Sequence, residues 1–429
     1  MKIKNIVLIG VAAAAMLTSF TSCLKDQEDV FDKPLSARMD EYLDNVQKLL
    51  TQPKYGWRMS FFPTEEMATN YAMKFTKDQV SIQHESIMPA EGWSNDCTYK
   101  LTTDDGAVLS FDTYSVALHY YSTPSSGAYQ SYGGDFEFNI MSACADSIVL
   151  RGKRSRNTFT MYPLEEDGQS YLNKVLAMEE RISMGALEGV VTNGNCRVEL
   201  DHGTRTFTIY RLGAESADEI IEVPYIVTPY GFKLYEPTLF QGVTFSDFYI
   251  NDDDTALTSS GVTFSMIIPE GYRKFADYPG EYTLTYSNGS KTADVELVQG
   301  EKKNLLLKGI SKFDIVMGYN SGTGTLTMLS QQVGADADVA YWMCAWDTNE
   351  GYLTWGTSYG LIGKTKEGTD TLTFTRVDNG KWGSYTADSF IMWTMRNGSS
   401  AGQNANKDYY FTITGNSQLV GPLTFTKKN

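Results

Sequence analysis

Apolar residues first recur at helical spacing, at Met39, Tyr42, Leu43, Val46, Leu49 and Leu50, with acids, Asn45, Gln47 and Lys48 on the opposite face. That stripe predicts one amphipathic helix, begun near Ser36 and ended before Pro53 and Gly56, whose apolar face must pack on a neighbouring β-domain. From Trp57 the period falls to two. Tyr71–Phe75, Val80–Ile82, Val108–Phe111, Phe136–Ile140, Ile148–Leu150 and Thr158–Met161 read as short strands, parted by turn residues such as Asp104-Asp-Gly106 and Gly133-Gly-Asp135. A second helical stripe, Leu172, Val175, Leu176 and Ile182, predicts a helix over Tyr171–Ile182. Strands then resume at Cys196–Leu200, Thr206–Tyr210, Tyr225–Val227, Phe232–Tyr235 and Val243–Phe245. Residues 36–278 are therefore one helix-plus-β-rich domain that the second helix interrupts, or two half-domains that it joins.

Past Pro279-Gly280 the strand signal is almost unbroken, from Tyr282–Tyr286 through Tyr341–Cys344 and Phe390–Trp393 to Phe411–Ile413 and Leu423–Phe425, with hairpin signals at Asn288-Gly289, Asn320–Gly324 and Asp378–Gly380. Short antiparallel strands at this density predict an all-β domain over 279–429, either a barrel or a sandwich. The fold class is thus mainly β, with one or two helices confined to the N-terminal part. The rhythm of strand, Asn-Gly turn and strand also resembles the lipocalin-like domains of secreted Bacteroidetes proteins.

The N-terminus carries an address. Two lysines, an apolar stretch from Ile6 to Leu17 and then Phe20-Thr-Ser-Cys23 read as a lipoprotein signal peptide over residues 1–22, with Cys23 the acylated first residue after processing. The apolar stretch is too short for a comfortable membrane span, and several acyl chains on Cys23 meet the requirement of more than one signal for stable anchoring. Residues 23–35 follow as an acidic tether, and Leu24–Asp32, with a lysine and four acids, resembles the export signal of surface-exposed Bacteroidetes lipoproteins. The expected location is the outer membrane, lipid-anchored and facing outward.

Charge narrows the partners. Removing Lys2 and Lys4 from 36 basic residues, set against 52 acidic ones, deepens the formal charge of -16 by two, which disfavours nucleic acid or an anionic lipid surface as the main partner. Neutral glycans, peptides and proteins remain. Cys97, Cys144, Cys196 and Cys344 are widely spaced and form no CxxC, so neither a disulfide scaffold nor a zinc knuckle is indicated. Cys144 and Cys196, amid strand-like residues, read as small core residues.

A family resemblance lies in Leu109-Ser-Phe-Asp-Thr-Tyr114 with Leu118-His-Tyr120, Gly133–Phe138, Ile148–Lys153 with Asn157, and Val223-Pro-Tyr-Ile-Val-Thr-Pro-Tyr-Gly231 with Tyr235-Glu-Pro237 and Gly242–Phe248. With Pro53–Trp57 these residues, over about 23–275, resemble domain of unknown function 4302, a family of Bacteroidetes lipoproteins. The resemblance implies a secreted, lipid-anchored, β-rich protein that accompanies outer-membrane nutrient uptake, with a transporter complex as a possible partner. It brings no activity and no binding residues.

Motifs for catalysis are absent from the sequence. His84-Glu-Ser-Ile-Met88 lacks the second histidine of HExxH, His119 and His202 stand apart, and there is no GxSxG, phosphate loop or dinucleotide fingerprint, so no cofactor is expected. His119, between Leu118 and Tyr120, reads as a structural strand histidine. Asp252 and Asp254 offer oxygen ligands of the calcium kind without EF-hand spacing, and a solvated turn fits them better. Aromatic placement is more informative: five of the seven tryptophans fall after residue 340. Trp342 and Trp393, inside apolar runs, are assigned to the core. Trp346, Trp355, Tyr359 and Trp382 lie among Asn, Asp, Thr and Gly, a setting that suits rings presented to a ligand and polar groups that orient it. These readings favour a non-catalytic surface lipoprotein that binds a nutrient, glycan or partner protein; a lipid-anchored hydrolase using dispersed carboxylates is the alternative.

Overall fold

The computed structural model describes residues 33–64, 68–85, 96–104, 106–213, 220–301, 303–377 and 382–428. The signal peptide, Cys23 and nearly all of the tether lie outside the described residues, as does the Asp378–Gly380 turn. Among those described, no helix is long and apolar enough to cross a membrane.

The molecule is mainly β, built around three closed eight-stranded barrels whose strands pair antiparallel. The first barrel runs from Trp57–Phe61 to Thr158–Pro163 and closes where Trp57 pairs with Pro163 and Met59 with Met161. The helix Leu35–Thr51 buries Val46 and Leu50, the centre of its predicted stripe. The Trp57 indole N–H donates to the Leu50 carbonyl at 2.9 Å, and the Tyr99 hydroxyl, bonded to Gln47, donates to the Thr76 carbonyl at 2.7 Å. An aromatic hydrogen bond thus satisfies a carbonyl near the helix end that would otherwise be an orphan. A short helix, Val116–Ser122, stands where His119 was expected on a strand. Three apolar residues in a row do not distinguish the two periods, and Val116, Ala117, Leu118 and Tyr121 bury one helical face instead.

The second barrel, Leu187–Val191 to Val262–Met266, follows the helix Gly168–Ile182, which is capped by Asp167, whose carboxylate accepts the Ser170 backbone N–H. Consecutive hairpins place Phe207, Phe232, Phe245, Phe248 and Phe264 inside it, all fully buried, with Phe232 and Phe248 stacked at 4.6 Å. Two compact units divide the chain: one holds the first helix and most of the first barrel, and the other holds everything from Glu166 onward together with the described parts of Ser60–Tyr71 and His84–Met88.

The third barrel begins at Gly280–Tyr286, which pairs with Thr424–Lys427 to close it. Its interior is filled by Tyr282, Leu284, Leu297, Leu307, Met317 and Leu326, none of them accessible to solvent, so it is a packed core and not a calyx. Two excursions leave this barrel. One, after Thr325–Leu329, supplies the strands Gln331–Asp336, Val339–Asp347 and Tyr352–Thr354; the other, after Thr371–Arg376, supplies Ser389–Arg396, Ser399–Gln403 and Gln418–Leu419. They pair with each other into a separate sheet with Val339–Asp347 and Ser389–Arg396 at its centre. Phe411–Ile413, expected as a strand, is a turn closed by an isolated bridge from Phe411 to Asn416, although Phe411 itself is buried.

Candidate functional site

Side chains along Val339–Asp347 alternate between the two faces of the inserted sheet. Met343 and Ala345 point to one side, where with Phe390 and Met392 they join the core of the third barrel. Trp342, Cys344 and Trp346 take the other side. The in-register pairing sets Trp342 directly opposite Trp393, Cys344 opposite Ile391 and Trp346 opposite Ser389. The three tryptophans are each partly exposed, while Cys344 and Ile391 between them are buried.

This arrangement corrects the assignment of Trp342 and Trp393 to the core. An unbroken apolar run suggests burial on both faces, but here only Met343 and Ala345 of Tyr341–Ala345 reach the barrel core, while Tyr341 stacks on Tyr409 at 3.7 Å. The even-numbered ones pave a second surface. One row across that surface reads Gln332, Trp342, Trp393 and Gln403, each residue paired with the next, and both glutamines are exposed. The Trp393 indole N–H donates to Ser400 Oγ at 2.8 Å, which fixes the ring and leaves its π-face as the available contact. Trp342 and Trp346 are about 13 Å apart along the strand at ~3.3 Å per residue. No residue of the paired set, from Gln332 to Gln403 and from Ala340 to Ser389, carries a formal charge. The face offers flat apolar rings, amide donors and acceptors, and no ionic group.

Of the loop aromatics, Tyr359 and Trp382 are partly buried and pack against the barrel core, with their ring centroids 5.7 Å apart. Trp382 continues to Tyr385 at 5.8 Å, and Tyr385 to Tyr352 at 4.4 Å, so the chain of rings leads from core to solvent and ends at Tyr352, 53% exposed. Trp355 is 41% exposed. Trp346 alone among the loop-flanking candidates shares the face of Trp342 and Trp393. Next to these rings, Asp347 is 2% exposed and wholly engaged: one carboxylate oxygen accepts the backbone N–H groups of Asn349 and Glu350, and the other that of Thr386 at 2.7 Å. It staples two loops together and is not placed to act as an acid.

Carboxylates gather elsewhere in the same unit. Arg205, 1% exposed, donates to Glu85 at 2.5 Å, to Glu179 at 2.8 Å and to the Ala68 carbonyl at 2.8 Å. Glu85 also accepts from the Asn70 backbone at 2.7 Å. Burial pushes the Glu85 carboxyl upward against the pull of Arg205; burial alone would lower the Arg205 guanidinium, but the two carboxylates raise it. An arginine shared by two acids and closed off from solvent is a structural clasp. His84, beside it, packs edge-on to Tyr71 at 5.8 Å, and burial lowers its pKa to about 4.

The remaining candidates have structural surroundings. His119 lies between Tyr114 and Phe136, 5.1 Å from each, and burial lowers its pKa. Asp254 is bound to Arg181 at 2.7 Å and Lys303 at 3.4 Å, so its carboxylate belongs to ion pairs, and Asp252 is exposed. No group of three or more His, Cys, Asp or Glu suited to a metal occurs among the described residues. Cys97, Cys144, Cys196 and Cys344 are free thiols; Cys196 is buried, whereas Cys144 is exposed on a turn beside Ser147, contrary to its expected core position. The strand Glu137–Ala143 ends just before it, which releases its side chain to solvent.

Comparison with curated proteins gives no match. Solved structures that align include two sliding clamps of DNA polymerase III, from Bartonella birtlesii, 10% identical over 71% of this chain and 93% of that one with a TM-score of 0.11, and from Pseudomonas aeruginosa, 10% identical over 70% and 92% with a TM-score of 0.10, together with the Helicobacter pylori beta clamp, 10% identical over 91% and 97% with a TM-score of 0.10. At such TM-scores they carry no argument. Residues 255–393 match DUF4987, described as a domain of unknown function, which takes in the third barrel's first excursion and most of Ser389–Arg396. Residues 27–252, more than half of the chain, match the profile of Domain of unknown function (DUF4302), and the chain belongs to that family.

Proposed function

We propose that this chain is a lipid-anchored, surface-exposed binding protein that holds a neutral glycan on the tryptophan face of its inserted sheet, as a non-catalytic member of an outer-membrane uptake system. The observation that carries the reading is the row Gln332, Trp342, Trp393 and Gln403 with Trp346 farther along the same face. Sugar rings present apolar C–H faces to an indole and hydroxyls to an amide, and a sheet presents both on a rigid support. The absence of formal charge from that row favours a neutral polymer over an acidic one. Anchoring rests on the Phe20–Cys23 lipobox and outward display on the acidic segment behind it.

Affinity electrophoresis of the full chain through gels containing soluble neutral polysaccharides, such as xyloglucan, galactomannan and starch, tests the binding reading. Retardation in at least one gel, lost in Trp342→Ala, is expected; equal mobility in every gel would refute it. The anchor is tested separately by Cys23→Ala, which should end incorporation of labelled fatty acid and move the protein to the soluble fraction.

A further inference from the structure

The unit that holds most of the first barrel carries a basic hairpin on an otherwise acidic chain. Residues 151–156 read Arg-Gly-Lys-Arg-Ser-Arg, four cations in six positions of a protein whose formal charge is -16, and like charges at this spacing repel one another. They join the strands Ile148–Gly152 and Thr158–Pro163. Lys153 is paired with Asp104 at 2.7 Å. Arg151, Arg154 and Arg156 are exposed, and no carboxylate among the described residues pairs with them. Arg151 Nε donates to the Arg156 carbonyl at 3.3 Å, which holds the Arg151 fork beside Arg156 and leaves its two Nη groups for a ligand. The turn is fixed from beneath. Asp135, 3% exposed, accepts the backbone N–H groups of Arg154 at 2.7 Å and Ser155 at 3.2 Å, and a Cβ on Gly152 would collide with its carboxylate. Arg156 adopts a φ of 65°, a left-handed conformation that glycine or asparagine takes more readily, so a cation is kept where the backbone disfavours it.

Open rings flank these cations. Arg154 reaches to the loop after the helix Val116–Ser122, donating to the Ser122 carbonyl at 3.2 Å, to Ser131 Oγ at 2.7 Å and to the Gln130 carbonyl at 2.6 Å. All three acceptors are neutral, so the guanidinium charge is not cancelled. Each of those residues lies within two positions of an exposed tyrosine: Tyr120, 40% exposed and stacked on Tyr132 at 5.0 Å, or Tyr129, 89% exposed. Of the acids that touch the hairpin, Asp104 is met by Lys153, Asp135 is buried beneath the turn, and Glu137 meets it through a backbone carbonyl. A screening length of about 8 Å at physiological salt separates a ligand seated on the arginines from the acids elsewhere on the chain.

We propose that this surface binds an anionic polysaccharide, with its carboxylate or sulfate groups on Arg151, Arg154 and Arg156 and a sugar face on the adjoining tyrosine rings. A uronic or sulfated sugar joins an apolar C–H face to an anion within one residue, and the surface offers the matching pair of ring and guanidinium. An acidic peptide fits it less well, because the first barrel is closed and presents no strand edge along which a peptide backbone could pair. The inference goes beyond the neutral-glycan reading of the tryptophan face and does not rest on it.

Isothermal titration of the full chain with oligogalacturonate, sulfated dextran oligomers, their uncharged counterparts (the methyl ester and plain dextran) and poly-L-glutamate tests it. At least one anionic saccharide should bind, the two arms telling carboxylate from sulfate, and its uncharged counterpart should bind at least tenfold more weakly. Arg151→Gln with Arg156→Gln, at exposed side chains that leave the thermal midpoint in place, should weaken that binding at least tenfold. Tyr129→Ala should weaken it severalfold, and Trp342→Ala with Trp393→Ala should leave it unchanged. Binding of neither anionic saccharide would overturn the proposal, as would full affinity in the double arginine variant. Poly-L-glutamate bound as tightly as the better saccharide would also overturn it, in favour of an acidic peptide.

Discussion

The Arg205 clasp and the tryptophan face invert the usual placement of side chains in opposite senses. The clasp buries an arginine and a carboxylate at 1% side-chain exposure each, and the face leaves three indoles partly in water. In the first case every named contact is internal, to Glu85, Glu179, Asn70 and the Ala68 carbonyl. In the second the rings share a face with the buried Cys344 and Ile391 and are themselves partly exposed to solvent. A buried ion pair held from within serves the fold, even with Glu85 Oε2 and Arg205 Nε lacking hydrogen-bond partners, whereas an exposed apolar group on a rigid sheet is available to a partner. Substitutions should separate the two: in the clasp they should cost stability, and on the face they should cost binding.

The largest effect is expected at Arg205→Met, which removes the cation from two acids and leaves Glu85 buried and unpaired. Breaking such a pair costs about 3–5 kcal/mol, measurable as a shift of the urea midpoint. A loss below ~1 kcal/mol would mean that the clasp opens to water readily. Acid should probe the same region next. His84 has a pKa lowered from 6.5 to about 4 by burial, so the folded protein resists a proton that the unfolded chain accepts. The sign follows: the stability is complete above about pH 6.5, declines as pH falls toward about 4 and is then constant, an overall loss of about 3 kcal/mol at 1.36 kcal/mol per unit. His84→Phe should flatten that part of the stability profile, and an unchanged slope would assign it to other groups.

Legibility followed locality. The helices Leu35–Thr51 and Gly168–Ile182 and most strands could be read because each declares itself within a dozen residues. The inserted sheet could not, because Val339–Asp347 pairs with Ser389–Arg396 across some fifty residues of sequence that return through the barrel. That pairing decides which side of Tyr341–Ala345 faces the core, and hence whether Trp342 and Trp393 are buried. The polar neighbours of Trp346 agree with its partial exposure. Tyr359 and Trp382 have similar neighbours but pack partly buried against the barrel core. The clasp was illegible for the same reason, since Glu85 and Arg205 are distant in sequence and nothing near either of them announces the other.

Within the C-terminal domain the comparison sharpens further. Trp382→Ala should cost about 2 kcal/mol, below the range for a fully buried tryptophan because this ring is only partly buried. Thermal unfolding would register it, and a change within ~0.5 kcal/mol would move Trp382 into the ligand-facing set. Trp355→Ala, at an exposed ring, should fall within ~0.5 kcal/mol by the same measurement.

The central claim is that Trp342 and Trp393 form a binding surface and not a core. Isothermal titration of the full chain and of Trp342→Ala with Trp393→Ala, using the polysaccharide that retards the parent most strongly, tests it most directly when each sample is also melted. The account predicts an affinity at least tenfold weaker, about 1.4 kcal/mol, with the thermal midpoint shifted by only a few degrees. Unchanged affinity, or a double variant that no longer unfolds cooperatively, would contradict it.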